Sequence, residues 1–364
     1  MSLSTTLNLY IGRRFLGTII STTLIITVIL VMIESLAVFE SYSDKAGVDG
    51  QMIVRLVMLK VPDTLMMLVP FVIMIGAMAS FANLTRSHEL TVIRSSGVSA
   101  WQFLIPPLIV CLGVGIFNLT VTNTLAASSL KRFERLDQEI DPGDTSGLIV
   151  EGGTLWLKQS DPEYNLIIRA NKVENHGENL KGVNIYRFDK NGTFMDLSVA
   201  SNMRLRDGYW ALTDTSILGA DKAPEHVETS YLSTNLSSEN IQGSFTSPRT
   251  LSIWELPSFI KVLNESGFST TAHRMHFHQL LAAPFLGMAM FLMAVPFALR
   301  LSRSGGIGQL MIMGLVFGFG FYLLSNIIAA YGLSGRLPLA LSAWIPSLIA
   351  ALIGLALLLH MREE

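Results

Sequence analysis

The sequence predicts a polytopic α-helical membrane protein with six transmembrane helices and one inserted antiparallel β-domain. Hydrophobic residues make up 50% of the chain and charged residues only 15%, whereas roughly a quarter of the residues in an ordinary soluble domain are charged. The apolar residues are concentrated in long runs, three before and three after a polar block at 134–256. This distribution favours membrane spans on both sides of a water-exposed domain.

Each apolar run approaches or exceeds the ~20 residues that a helix needs to cross a hydrocarbon layer ~30 Å thick. The second run is longer than necessary, so part of 53–61 is expected to lie at the interface or outside the membrane. The first run is too long for a cleavable signal peptide, and no small-residue cleavage site clearly closes it. The predicted spans are 15–39, 53–81, 101–125, 277–299, 307–330 and 337–359.

Basic residues near the span ends predict the orientation, because arginine and lysine concentrate on the cytoplasmic side of a membrane. With six spans, the arginine-rich ends fall on one side, so both termini and the segment between spans two and three should be cytoplasmic. The β-domain then lies on the opposite side. The residues that support this orientation are Arg13, Arg14, Arg86, Arg94, Arg300, Arg303 and Arg362.

The polar block has the pattern of short strands separated by turns. Residues 183–188 and 194–200 are strand-like, and the Asn191-Gly192 and Asp207-Gly208 dipeptides tolerate the positive φ of tight hairpins. Several short strands with turn signals between them indicate an antiparallel sandwich or β-jellyroll. Further strands are expected at 155–157, 166–168 and 210–212, and the predicted domains are 1–133, 134–256 and 257–364.

Few residues offer metal or redox chemistry. Cys111 is the only cysteine, so no intrachain disulfide or cysteine metal cluster can form. His273, His276 and His278 are spaced so that they do not share one helical face, and we expect interfacial histidines rather than a metal site. The formal net charge of −2 gives no nucleic-acid signal, so we expect no nucleic-acid partner.

Three functional classes are compared. The chain lacks the Gly-x-x-x-x-Gly-Lys-Ser/Thr loop that binds ATP phosphates, and the glycine-rich 305–308 lacks the lysine. A membrane-embedded lipid-modifying enzyme is disfavoured, because neither Gly-x-Ser-x-Gly nor His-Glu-x-x-His occurs. A proton-coupled secondary transporter should show an ionisable relay near the mid-plane and repeated halves. These two classes remain the alternatives to a transporter whose ATPase is a separate protein.

The segment at 83–99 joins spans two and three on the predicted cytoplasmic side. Ser87 can cap a short helix and Gly97 can end it, while Leu90, Ile93 and Arg94 share one face. We predict a helix around 84–98 that lies along the membrane. Such a helix is suited to the groove of another protein, and a plain interfacial turn is the alternative.

Three stretches resemble the lipopolysaccharide-export permeases, the LptF/LptG (YjgP/YjgQ) family. In the coupling region of that family a Glu-Leu pair precedes a polar stretch and a Gly-x-Ser/Thr, as do Glu89-Leu90 and Gly97-Val-Ser99. The stretches 10–14 and 267–278 are similar to the G-type rather than the F-type subunit. The order of three spans, a β-domain and three spans matches the family over the whole chain.

The resemblance implies a permease subunit of an ATP-driven ABC exporter, without enzymatic activity or cofactor of its own. It implies an F-type subunit in a heterodimer, two copies of a cytoplasmic ABC ATPase that uses ATP and Mg, and a single-span periplasmic β-jellyroll protein that is LptC-like. The substrate would be lipopolysaccharide, taken from the outer leaflet of the bacterial inner membrane. The implied ATPase-coupling residues are Glu89, Arg86, Leu90, Arg94 and Gly97.

A phosphorylated lipid in the outer leaflet requires cations near the outer ends of the spans. Guanidinium groups suit phosphate because they bind two oxygens at once. Snorkelling to lipid headgroups, or pairing with Glu134, Glu40 or Asp63, is the alternative role for these cations. The candidates for binding lipid A phosphates are Arg132, Arg135, Lys131, Arg55, Lys60 and Arg274.

Three residues are candidates for contact with the partner permease. Gly314 and Gly318 form a small-xxx-small pattern that permits close helix approach, either within the chain or between subunits. Glu34 stands where some G-type relatives have a lysine, and an acid would repel phosphate. We expect Glu34 to pair either with Lys60 or with a residue of the partner permease.

Overall fold

The computed structural model describes residues 5–45, 47–95, 100–140, 147–151, 154–160, 164–174, 178–189, 192–206, 208–219, 224–234, 247–265, 268–304 and 307–363. The chain divides into two compact units. One comprises Met1–Phe133 and Met275–Glu364, and the other is Glu134–Arg274. The second unit therefore continues beyond 256, the predicted end of the β-domain.

Six helices of the described chain are long and apolar enough to cross a membrane, which confirms the predicted count. The third span consists of α4 and α5 joined by a π-helical turn at Asn118–Thr122. The helices are α1 Thr5–Tyr42, α2 Gly50–Arg86, α3 Glu89–Ser95, α4 Ala100–Phe117, α5 Asn123–Ile140, α6 Leu256–Glu265, α7 Thr271–Ser304, α8 Ile307–Leu333 and α9 Leu339–Glu363.

The third span is longer than predicted. Its apolar run ends near 125, but the helix continues to Ile140 through residues such as Ala126, Leu130 and Lys131. Alanine, leucine, lysine and arginine are strong helix formers, so the helix persists after hydropathy falls. The unit boundary lies inside this continuous helix, between Phe133 and Glu134.

An aromatic cluster forms part of the core of the helical unit. The rings of Phe15 and Phe291 have centroids 5.4 Å apart, and Phe81 lies 5.9 Å from Phe103 and 5.8 Å from Phe291. These four residues come from α1, α7, α2 and α4, and all are buried. Edge-on and tilted aromatic pairs of this kind contribute more than their buried area alone.

Close helix approach depends on glycines. A side-chain carbon at Gly314 would lie 2.9 Å from Met78 Sδ, and one at Gly318 would lie 3.1 Å from a ring carbon of Phe71. Both glycines of α8 therefore face α2 of the same chain. Of the two roles expected for this pair, the structure shows packing within the chain, and their assignment to the partner-permease interface stays a prediction.

The second unit contains one antiparallel sheet of seven described strands in the order β1 to β7. Gly192 and Gly208, at φ 84° and 82°, occupy the predicted hairpin turns, while Asn191 and Asp207 lie outside the described residues. The strands are β1 Gly147–Glu151, β2 Thr154–Ser160, β3 Asn165–Glu174, β4 Asn179–Phe188, β5 Phe194–Arg206, β6 Tyr209–Gly219 and β7 Glu225–Ser233.

The inserted β-domain is confirmed, but the strand order differs from that of a two-sheet jelly roll. Each described strand pairs with its neighbour in sequence, so the sheet is a meander without Greek-key crossovers. One face is buried, with Trp210, Leu166 and Val183 at its centre. Leu263 of α6 and Phe268 pack into the same core, so the chain after 256 helps to cover the sheet.

Gly115→Ala tests the packing of α4 on α7. The added carbon would lie 2.6 Å from Pro284 Cα, and a backbone atom cannot move aside cheaply. We expect a loss of about 1–3 kcal/mol in the free energy of unfolding, measured by thermal melting in detergent. Gly113→Ala is the matched control on the same helix, because nothing lies within 4 Å of its added carbon. Equal melting temperatures for the two variants would contradict this packing.

Candidate coupling and lipid-binding sites

The short helix α3 starts after a sharp reversal at the end of α2. Ser87 is the C-cap residue of α2, and its backbone N–H donates to the Asn83 carbonyl oxygen at 3.0 Å. His88 follows with φ 59°, and α3 begins at Glu89. The predicted helix is therefore present in the described part of the segment, but Ser87 ends the preceding helix instead of capping this one.

One face of α3 is buried in the helical unit. Leu90 and Ile93 belong to the same apolar cluster as Phe15, Phe81 and Phe103. Leu90, a predicted ATPase-coupling residue, packs inside its own chain with 6% exposed, so a direct contact of its side chain with an ATPase stays a prediction. Val92 is 63% exposed, and His88 and Ser95 are also exposed.

The Glu89 carboxylate is the centre of a polar network with α1. Arg14 Nη1 donates to both carboxylate oxygens and forms the ion pair. The Tyr10 hydroxyl donates to Glu89 Oε2 at 3.0 Å, and the Ser87 hydroxyl donates to Oε1 at 2.8 Å. We call Tyr10, Arg14, Ser87 and Glu89 the Glu89 network.

Local helix geometry places Tyr10 and Arg14 together. They are four residues apart on α1 and therefore share one face, and Arg14 Nη1 donates to the Tyr10 hydroxyl at 2.8 Å. Arg14 supports the predicted orientation, and both residues belong to the stretch that resembles the family, but their contact with Glu89 was not predicted from the sequence. The Tyr-x-x-x-Arg spacing indicates that Tyr10 and Arg14 contact each other, although it does not show that Glu89 is the acid they bind.

The network also changes the acidity of Glu89. The hydrogen bond from Arg14 holds the pKa of the Glu89 carboxyl below its ordinary value of 4.5, and the bonds from Ser87 and Tyr10 act in the same direction. Charge-assisted bonds of this kind favour the ionised acid. Glu89 is therefore a carboxylate at neutral pH.

The other predicted coupling residues are Arg86, Arg94 and Gly97. Arg86 is exposed in the last turn of α2. Arg94 lies in α3, and Gly97 falls outside the described residues.

A second charged pair joins α1 to α2. Lys60 Nζ lies 2.9 Å from Glu34 Oε2, and the Thr64 hydroxyl donates to Glu34 Oε1 at 3.0 Å. Only 8% of Glu34 is exposed. Of the two partners expected for Glu34, the structure shows Lys60. Lys60, a predicted phosphate ligand, is therefore already paired with an acid.

The two charged contacts lie at opposite ends of α1. At a rise of ~1.5 Å per residue, Arg14 and Glu34 are separated by ~30 Å along the helix axis, about the thickness of the hydrocarbon layer. Their partners Glu89 and Lys60 lie just beyond the end of α2 and near its beginning. The helices α1 and α2 are therefore antiparallel, with an ion pair at each end.

The remaining predicted lipid ligands are exposed. Arg55 lies on α2, and Arg274 lies in the first turn of α7. Arg132 and Arg135 lie one turn apart on α5, with Lys131 next to them. These side chains are accessible to an anionic ligand.

The start of α5 is fixed to α2. At the π-helical turn, buried Asn118 donates from Nδ2 to the Met66 carbonyl oxygen at 3.4 Å, and Asn123 lies beside the Met66 sulfur at 3.7 Å. A π-helical turn frees backbone groups from the regular pattern. The asparagine contacts therefore hold the base of the helix that carries the three cations.

The histidines near the start of α7 have a packing role that the sequence did not reveal. His273 is buried, with 4% exposed, and its ring centroid lies 5.1 Å from that of Phe259 of α6. His276 and His278 are half-buried.

The family model described as lipopolysaccharide export system permease LptF/LptG matches residues 9–360. The chain belongs to the LptF/LptG permease family. Lipopolysaccharide export system permease protein LptG of Escherichia coli strain K12 is 25% identical to it over 357 residues, covering 95% of this chain and 97% of the relative. LptG of Haemophilus influenzae strain Rd is 24% identical over 357 residues, covering 94% and 95%.

Both relatives carry the LptG name, in agreement with the G-type resemblance. With six apolar helices and this family membership, the chain is a multi-pass membrane permease. The match extends from α1 almost to the end of α9, so it includes both charged contacts and the inserted sheet.

Lys60→Met tests the Glu34–Lys60 ion pair of this LptF/LptG permease. The substitution leaves the buried Glu34 carboxylate without its cation, and we expect a loss of about 1–3 kcal/mol in the free energy of unfolding. The double variant Glu34→Gln/Lys60→Met removes both charges and should recover most of this loss. Arg55→Met, an exposed cation on the same helix, is the control. A melting temperature for Lys60→Met equal to that of the control would refute the pairing.

Acidification should loosen α3 in this permease. Folding lowers the pKa of Glu89. The Glu89 network therefore stabilises α3 fully when the pH is above the ordinary pKa of 4.5. The contribution is lost as the pH falls through the lower, folded value. Amide exchange of 89–95, corrected for intrinsic rates, should be constant from about pH 8 to 5 and increase below about pH 4.5. In Glu89→Gln the increase should be absent, and an unchanged pH profile in that variant would count against the network.

Proposed function

We propose that this chain is the G-type permease subunit of an ABC exporter that extracts lipopolysaccharide from the outer leaflet of the bacterial inner membrane. The observation that carries the proposal is α5, a continuous extension of the third span that presents Lys131, Arg132 and Arg135 to solvent. Within this permease family, an exposed cationic helix at the outer end of a span fits a lipid with anionic phosphates.

The proposed orientation follows the basic residues. Both termini and α3 are cytoplasmic, and the seven-stranded sheet is periplasmic. In this arrangement Glu34 and Lys60 lie near the outer leaflet and the Glu89 network lies at the cytoplasmic face. The three exposed cations of α5 belong to the same outer side, although they oppose the usual distribution of positive charge. Binding to an anionic lipid explains that exception.

The substrate contacts follow from the chemistry of phosphate. Arg132 and Arg135 are one turn apart, so their guanidinium groups can engage one phosphate together. Lys131, Arg55 and Arg274 are additional exposed cations of the proposed site. Lys60 contributes less, because Glu34 already neutralises its charge.

The proposed partners supply the ATP-binding site, for which the sequence of this chain contains no phosphate-binding loop. Two copies of a cytoplasmic ATPase bind ATP and Mg and dock near α3, where Arg86, His88 and Val92 are exposed. An F-type permease completes the heterodimer, and an LptC-like single-span protein with a periplasmic β-jellyroll receives lipopolysaccharide. The periplasmic sheet of this chain forms part of the same route toward the outer membrane.

Reconstitution tests the proposed function. The chain is placed in proteoliposomes with an F-type subunit, the ATPase and lipopolysaccharide, and release to a soluble periplasmic acceptor is measured. Release should require ATP and should not respond to a proton gradient. Release driven by a proton gradient without ATP would support the secondary transporter, and chemical modification of the lipid would support the enzyme.

The charge of α5 should determine substrate binding. Photocrosslinking groups at positions 55, 60, 132 and 135 should capture lipopolysaccharide, most strongly at the two α5 positions. The double variant Arg132→Gln/Arg135→Gln should weaken capture at position 55 by at least about 10-fold, since a single charge-assisted bond to phosphate contributes ~1.5–3 kcal/mol net and ~1.4 kcal/mol is a factor of ten. Lys261→Gln, 76% exposed on α6, is the control. Undiminished capture in the double variant would remove α5 from the proposed site.

A further inference from the structure

We propose that the π-helical turn of the third span is a register element that turns Lys131 and Arg132 away from the buried side of the span, and that Asn118 is the positioning residue that holds this turn in place. The turn comprises Asn118–Thr122 and joins α4 to α5. The inference rests on the proposed function, in which cations of α5 bind the phosphates of lipopolysaccharide. It explains how the chain directs these cations.

The spacing of the buried residues shows that the turn holds one extra residue. In an α-helix one face recurs every three or four residues. The third span follows this rule up to Asn118, where a step of five residues leads to the next buried position, Asn123. Bonds of the π-helical type span one residue more than those of an α-helix, so the extra residue is accommodated there. The buried residues of this series are Cys111, Gly115, Asn118, Asn123 and Ala127.

The extra residue sets the direction of the side chains that follow. Ala127 comes nine residues after Asn118, about two and a half turns of a regular α-helix, which would place the two on opposite sides. Both are nevertheless buried, with 2% and 6% exposed. Arg132 comes fourteen residues after Asn118, about four regular turns, which would place it on the buried side. It is exposed instead. Compared with an uninterrupted helix, α5 is therefore rotated by about 100°, the rotation of one residue.

This rotation avoids an electrostatic cost. Without the extra residue Arg132 would share a side with Asn118, and burial of an unpaired guanidinium group is costly. With it, the buried side of α5 carries the small apolar residues Ala126 and Ala127. Lys131 and Arg132 remain exposed, so both are accessible to an anionic ligand.

The position of the turn follows from an irregularity in α2. Pro70 has no backbone N–H, so the carbonyl group of Met66, four residues earlier, lacks the donor that a regular helix would supply. Asn118 Nδ2 donates to this Met66 oxygen at 3.4 Å. Asn123, at the other end of the turn, has its Nδ2 3.7 Å from the Met66 sulfur. The irregular positions of two helices are thus joined at one level, which fixes where the extra residue is accommodated.

Two single-residue deletions test the register, because they shorten the third span equally. Deletion of Val121 removes the extra residue, so α5 should keep its direction. Deletion of Ser129 leaves the turn intact and should rotate Lys131 and Arg132 by about 100°. Lipopolysaccharide binding is measured by photocrosslinking from position 55, with the F-type subunit and the ATPase present.

The direction of α5 is measured separately, by thiol labelling of Ala127→Cys and Ser128→Cys in the same complex without lipopolysaccharide. Position 127 is buried and position 128 is exposed, while Cys111 is buried and should react little. Labelling should favour position 128 in the wild type and in both deletions. Capture from position 55 should be unchanged without Val121. It should fall at least about 10-fold without Ser129, the effect of losing one charge-assisted bond to phosphate.

Asn118→Leu tests the positioning residue itself. The variant removes the bond to Met66 at similar volume, and labelling at position 127 should increase about 5-fold, the factor that one hydrogen bond contributes to an equilibrium. Deletion of Val121 in the same chain should cancel this increase, because no extra residue then has to be held. A residue that only stabilised the fold would not be rescued by a deletion. Thr120→Val is the matched control, since it removes a bond to Ile116 within the same helix.

Four results would overturn the inference. If deletion of Val121 makes position 127 reactive, the turn does not hold an extra residue. If deletion of Ser129 does so, the turn is not fixed at Asn118. Equal capture by the two deletions would show that the direction of the cations does not affect binding. If the effect of Asn118→Leu persists without Val121, Asn118 does not place the turn.

The labelling of Asn118→Leu and Thr120→Val carries the test if melting shows that either deletion does not fold. Labelling is measured without lipid and therefore does not depend on transport. Absence of lipopolysaccharide capture by the wild type would refute the proposed function separately.

Discussion

A hydrocarbon layer offers no hydrogen-bond partner to a backbone N–H or C=O group, so a chain that crosses it must satisfy these groups internally. The six long helices meet this requirement over most of their length. Where the pattern is interrupted, at the π-helical turn of the third span, Asn118 and Asn123 contact Met66 of α2. These two polar side chains are therefore placed where they contact a neighbouring helix.

The same constraint distinguishes two kinds of cation on the described helices. Arg14 and Lys60 have carboxylate partners, Glu89 and Glu34, and these pairs hold α1 to α2 and α3. Arg132 and Arg135 are exposed on a helix that has left the apolar stretch. Because burial of an unpaired charge is costly, only the exposed kind is well suited to an anionic ligand that comes and goes.

The arrangement of spans could be predicted from the sequence because hydropathy acts over ~20 residues and does not depend on tertiary contacts. The hairpins at Gly192 and Gly208 could be predicted for a similar reason, since positive φ is a local property. The partner of Glu89 could not, because Arg14 is distant in sequence and several arginines were equally plausible. The local pattern shows that Leu90 and Ile93 share one face of a helix. It does not show whether that face packs inside its own chain or against a partner protein.

The strand order of the β unit bears on how the protein is made. Every described strand pairs with the strand before it, so the sheet has a low contact order and can grow hairpin by hairpin as the ribosome delivers it. Its core is completed only when Leu263 and Phe268 arrive, just ahead of the fourth span. The hydrophobic core of the sheet is therefore complete only after the segment just before the fourth span has been synthesised.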